Sequence, residues 1–103
     1  MLDSVSIQEC IQAILAACPA GSRVILFGSR ARGDHHPDSD VDLLVVEPEP
    51  PARLVEAARL ARVVRRMRVP ADIVVIGQEM YEQWKDAPNS IYNEAARDGK
   101  VFV

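Results

Sequence analysis

Long apolar runs are missing from this sequence: no stretch approaches the roughly 20 residues needed to cross a bilayer. Met1 to Ile7 has neither the basic start nor the apolar core of a signal peptide. Both gaps point to a cytoplasmic protein without a membrane partner. Cysteine is scarce too, with only Cys10 and Cys18 in the chain. They fall in one expected helix, where eight residues of rise set their Cα atoms roughly 12 Å apart, beyond disulfide reach. Reduced thiols packed as small apolar groups are expected, with no redox or metal role. An excess of positive charge is also lacking. Twelve basic against 15 acidic residues give a formal net charge of −3, which argues against a surface that neutralises nucleic-acid phosphates, so no direct nucleic-acid partner is expected. What is present, 103 residues with 49% hydrophobic content, fits one compact domain over 1–103 with one core. A substrate that needs its own binding domain must then be held by another molecule.

The order of elements follows from periodicity and breakers. Ser6 with Glu9 reads as a capping box, and Ile7, Ile11, Ile14, Leu15 and Cys18 recur at helical spacing, which predicts a helix from Ser6 to Cys18. Arg23 to Phe27 is a short apolar run ending at Gly28, as expected of a strand buried on both faces. The polar stretch Arg30 to Ser39 is a loop, with a single helical turn at Ser29 to Arg32. A second strand is predicted from Asp40 to Val46, followed by an acidic, proline-stiffened connector at Glu47-Pro48-Glu49-Pro50-Pro51. Leu60, Val63, Val64 and Met67 form an apolar stripe within Ala52 to Arg68 while arginines fall elsewhere, which predicts an amphipathic helix closed by Pro70. Ala71 to Ile76 is a third strand. Short helices are expected at Gln78 to Lys85 and Pro88 to Arg97, and a small edge strand at Val101 to Val103. The fold class is α/β, a small mixed sheet with packed helices.

The chemistry centres on Asp40 and Asp42. Alternation along a strand aims both at the same face, with Cα atoms roughly 6.5 to 7 Å apart. Two like charges at the start of an apolar strand are costly unless a cation compensates them, and oxygen ligands alone favour a hard ion such as Mg²⁺. The bland alternative is that Asp38, Ser39, Asp40 and Asp42 are the solvated tail of a loop. A calcium loop fails because Leu43 stands where the EF-hand pattern needs Gly. Gly28-Ser29 at the end of the preceding strand favours the metal reading: Gly admits backbone amides to an anion and Ser adds a hydroxyl donor. Arg30 and Arg32 carry forked donors suited to phosphate, or else face solvent. His35 and His36 lack further ligands at zinc spacing and are expected in solvent. Tyr81, Trp84 and Tyr92 are expected to pack on the core rather than stack on a base.

Gly28-Ser29-Arg30-Ala31-Arg32-Gly33 followed by Asp40-Val41-Asp42, with ten residues between Ser29 and Asp40, resembles the signature of the polymerase-beta-like nucleotidyltransferases. It is similar in particular to the minimal nucleotidyltransferase proteins encoded beside HEPN-domain toxins, and the likeness covers most of the chain. The resemblance implies the polymerase-beta-like fold, with Asp40, Asp42 and Asp72 as catalytic and Mg²⁺-binding residues. It also implies Gly28, Ser29, Arg30 and Arg32 around the nucleotide. For function it implies an antitoxin that transfers AMP from ATP to a tyrosine hydroxyl of a cognate HEPN ribonuclease toxin, within a hetero-oligomer. The alternative is an antitoxin that keeps the fold but neutralises its toxin by binding alone.

Overall fold

The computed structural model describes residues 4–36 and 38–103. The chain runs α1 (Ser4–Ala17), β1 (Arg23–Phe27), α2 (Ser29–Arg32), β2 (Val41–Glu47), α3 (Arg53–Val64), a 3₁₀ turn (Arg65–Met67), β3 (Ala71–Gly77), α4 (Gln78–Trp84), α5 (Ile91–Asp98) and β4 (Lys100–Phe102). The four strands form one mixed sheet in the order β3-β2-β1-β4. β1 is antiparallel to β2 and β4, whereas β2 and β3 are parallel and joined by the α3 crossover. No helix among the described residues is long and apolar enough to cross a membrane.

The central strand explains why its sequence is nearly continuous in apolar residues. Val41, Leu43 and Val45 face Ile7, Cys10, Ile11 and Ile14 of α1 and Leu60 and Val64 of α3. Leu44 and Val46 face the other way, onto Ile25, Phe27, Ile76, Tyr81 of α4 and Ala95 of α5. A strand covered by helices on both faces has no solvated side to fill with polar residues. Each such Leu or Ile removed from water contributes about 1.5–3 kcal/mol.

Several boundaries differ from expectation for identifiable reasons. α1 already includes Ser4, so Ser6 lies inside the helix and is not its cap. β2 starts at Val41 and leaves Asp40 just outside it, while Glu47 belongs to the strand and not to the connector. The helix after the connector ends at Val64; the chain tightens into the 3₁₀ turn, and Arg68 adopts a left-handed φ of 56°. The last helix starts at Ile91 because the Ser90 hydroxyl accepts the Asn93 amide and caps it. Cys10 is buried, and both cysteines are free thiols. Tyr81 packs in the core, but Trp84 remains 46% exposed.

Candidate active site

The site forms where β1 ends and β2 and β3 begin. Antiparallel register places Phe27 opposite Asp42, so the chain leaves β1 directly over that carboxylate. Gly28 takes the turn at φ 76°, and a Cβ built on it would lie 2.3 Å from Asp42 Oδ2. No side chain fits between this bend and the carboxylate, so the main chain of the Gly28-Ser29 step lies against Asp42. α2 follows immediately, its first turn held by the amides of Ala31 and Arg32 donating to the Gly28 carbonyl. It ends at Gly33, which is also left-handed, with φ 83°.

Parallel register makes Asp72 the cross-strand partner of Asp42, and partners in a ladder present their side chains on the same face. Asp72 is exposed, Asp42 half-buried, and Asp40 exposed on the approach to β2. Burial pushes the Asp42 carboxyl above its ordinary range, as do Asp72, Glu94 and Asp40 in that order, while Arg32 acts in the opposite direction. The structure therefore brings Gly28, Ser29, Asp40, Asp42 and Asp72 to one corner of the sheet.

The two arginines part company. Arg30 turns inward: it is 9% exposed, and its Nε and Nη2 donate to the Ser39 carbonyl at 3.1 and 2.9 Å. Its guanidinium thereby ties the far end of the loop to α2, immediately before Asp40. Arg32 stays at the rim, where Nε donates to Asp34 at 3.2 Å and Nη1 to Glu94 at 2.5 Å. Glu94 on α5 is the residue at the rim of this corner that sequence reasoning missed. It lies 62 positions from Arg32, so no local spacing announces it. The nearest sequence signal is the capped segment that begins at Ser90. His35 and His36 are exposed.

Asp40, Asp42 and Asp72 offer oxygen ligands, the chemistry of a hard divalent ion rather than zinc. The acidic groups crowded around Asp42 would be stabilised by a bound divalent cation. Among the described residues no group of three carboxylates already converges on one point. A bound ion would have to draw the carboxylates of Asp40, Asp42 and Asp72 together.

Carboxylates beside a side-chain-free bend at the mouth of a small mixed sheet suit the transfer of phosphoryl or nucleotidyl groups. The chain belongs to the nucleotidyltransferase domain family, whose model matches residues 7–98. A provisionally named protein adenylyltransferase of Methanocaldococcus jannaschii is 43% identical over 53 residues, 52% of this chain and 52% of that protein. The chain thus spans about half the length of that relative. A solved minimal nucleotidyltransferase superposes with TM-score 0.65 at 29% identity, covering 96% of this chain and 95% of that one. A toxin–antitoxin crystal structure with AMP-PNP gives TM-score 0.63 at 20% identity, covering 97% of this chain and 72% of that one. At that identity the likeness is one of fold.

Proposed function

We propose that this chain is a Mg²⁺-dependent protein adenylyltransferase: an antitoxin that moves AMP from ATP to a tyrosine hydroxyl of a partner HEPN ribonuclease toxin. Family membership supports nucleotidyl transfer. The adenylyltransferase relative and the toxin–antitoxin neighbour support the protein acceptor and the adenine nucleotide. The observation that carries the reading is the Gly28 main chain pressed against Asp42, with Asp72 alongside in register.

Asp40, Asp42 and Asp72 would hold the divalent ions, which when bound neutralise charge on the triphosphate. The Ser29 hydroxyl and the main-chain amides of the bend donate to the β- and γ-phosphate oxygens. Arg32 adds a donor at the rim once it leaves Glu94. Asp72 accepts the proton of the acceptor hydroxyl as its oxygen bonds to the α-phosphorus. The bond to the β-phosphate bridging oxygen breaks in line, and pyrophosphate leaves. No side chain becomes covalently attached, so rate comes from alignment and from charges fixed in advance.

Incubation with labelled ATP, Mg²⁺ and the product of the neighbouring gene tests this. Label should appear on that protein and vanish with EDTA; a complete lack of Mg²⁺-dependent label would sink the proposal. The double substitution Asp40→Asn, Asp42→Asn separates catalysis from masking. Loss of neutralisation with the complex still forming is the expected result, and unchanged neutralisation would assign the protein to binding alone.

A further inference from the structure

Six of the twelve Lys and Arg side chains of this protein have named partners. Arg23 donates to Gln78 and lies over the Tyr81 ring, Arg59 grips Glu56, Arg97 meets Asp98 and Lys85 meets Glu82. Arg30 and Arg32 are held at the site. Arg53, Lys100 and the run Arg62, Arg65, Arg66 and Arg68 are exposed, and among the described residues their side chains form no ion pair; only the last four are clustered, within seven residues.

Their placement is ordered. Leu60 and Val64 face the core, which turns Arg62 to the solvent side of α3; Arg65 and Arg66 follow in the 3₁₀ turn and are likewise exposed. Four like charges within seven residues repel one another, and no carboxylate lies among them to offset the repulsion. Arg68 sits in a left-handed conformation, φ 56°, where glycine is the residue without a steric penalty. Arg68 therefore adds its charge at some cost to the backbone.

α3 runs from the end of β2 back to the start of β3, so its last turn lies at the same end of the sheet as the carboxylates. The link is direct: the Pro70 carbonyl, two residues after Arg68, accepts the Val41 amide at 2.8 Å, and Asp72 follows two residues later. A cationic ridge thus adjoins an anionic site.

We propose that Arg62, Arg65, Arg66 and Arg68 form a docking ridge for an acidic segment of the acceptor protein, holding its hydroxyl-bearing residue over the adjoining carboxylates. The direction of this docking rests on the proposed transfer to a protein hydroxyl. Charge complementarity sets the register, because an acidic segment is drawn to the ridge and repelled by Asp40, Asp42 and Asp72 beside it. The ridge extends over roughly 10 Å of helix. A nucleic-acid strand long enough to leave it would run onto carboxylates in a chain of net charge −3. A protein segment can confine its acidic residues to the ridge.

The test uses the whole chain and a fluorescein-labelled glutamate-rich peptide with one tyrosine, followed by anisotropy without nucleotide or metal. The peptide should bind and be released by added salt. R62Q/R65Q/R66Q/R68Q should weaken binding about ten-fold, as expected for several exposed charge contacts. Arg53→Gln, at the opposite end of α3, should change nothing. Thermal melts confirm folding, and R62Q/R66Q, with a smaller loss of about three-fold, serves if the quadruple variant does not fold. Equal binding by the quadruple variant overturns the ridge. So does equal binding of a lysine-rich peptide, or tighter binding of single-stranded RNA that is lost in the same variant. Label transfer from ATP is read separately. Peptide binding that depends on the ridge but yields no transfer removes the transfer proposal and upholds the ridge. Transfer that survives the quadruple substitution at an unchanged acceptor KM overturns it.

Discussion

Gly28 is the residue on which the geometry of the site turns, because it combines a left-handed φ with a carboxylate oxygen where a methyl group would go. Gly28→Ala should lower nucleotidyl transfer about a hundred-fold or more, since displacing a reacting group by an ångström has that order of effect. Gly33→Ala provides the control. Its φ is also left-handed, at 83°, but nothing lies within 4 Å of the added carbon. It should cost about 1 kcal/mol of stability and leave transfer intact. Measured kcat and melting temperature for the pair distinguish the two; equal activity losses would remove the special role of Gly28. The grouping of Gly28 and Ser29 with Asp40 and Asp42 was legible in the sequence because the bend and the two aspartates are local features, although Asp40 precedes β2 and does not belong to its alternation. Glu94 was hidden because only tertiary packing brings α5 to Arg32. The inward turn of Arg30 was equally hidden, since its acceptor is a main-chain carbonyl that no residue type reveals.

Among the elements, β2 carries a feature at each end. Its first residues lead from the site, and its last, Glu47, is 1% exposed with neither carboxylate oxygen hydrogen-bonded. Around it stand Cys18, at the end of α1, and Glu56 of α3, which Arg59 grips with Nε at 2.6 Å and Nη2 at 2.8 Å. Arg59 also donates to the Ala17 carbonyl at 2.8 Å. Burial, and secondarily the Glu56 carboxylate, push the Glu47 carboxyl up to about 7. Hydrogen bonding from Arg59 leads the effects that draw Glu56 down to about 2. Protonated, Glu47 can donate to Glu56; ionised, it faces a like charge in a dry setting.

The folded chain thus binds an extra proton at Glu47 between the unfolded value of 4.5 and about 7. Stability from this group is full below pH 4.5 and is lost as pH rises through 7. Stability from Glu56 is present above 4.5 and lost as pH falls through 2. Melting temperature should therefore fall between pH 5 and pH 8, and Glu47→Gln should flatten that slope and stabilise the protein at pH 8 by about 1–2 kcal/mol. A wild-type melting temperature that is flat over this range would refute it. The strand itself was readable from its apolar run. Membership of Glu47 was not, because a glutamate before three prolines within four residues looks like the start of a solvated connector until the ends of α1 and α3 close over it.

At the scale of the whole molecule, the site carboxylates and the arginines that follow α3 share one end of the sheet, and the buried Glu47 lies at the other. The acidic corner should make the free protein sensitive to divalent ions. Millimolar Mg²⁺ should raise the melting temperature through binding to the folded state alone. Asp42→Asn should melt higher than wild type in EDTA and gain less from Mg²⁺; an identical Mg²⁺ shift in both would place the ion elsewhere. The layered α/β order was legible because each strand is an apolar run bounded by Gly or Pro. The strand order was not, since β4, three residues long, pairs with β1 from the far end of the chain. One consequence follows from the clasp between Arg30 and Ser39. It fastens both margins of the span that carries His35 and His36, so that span can vary without moving its anchor points. A reporter peptide spliced beside those exposed histidines should fluoresce or be captured while the enzyme beneath it keeps its rate.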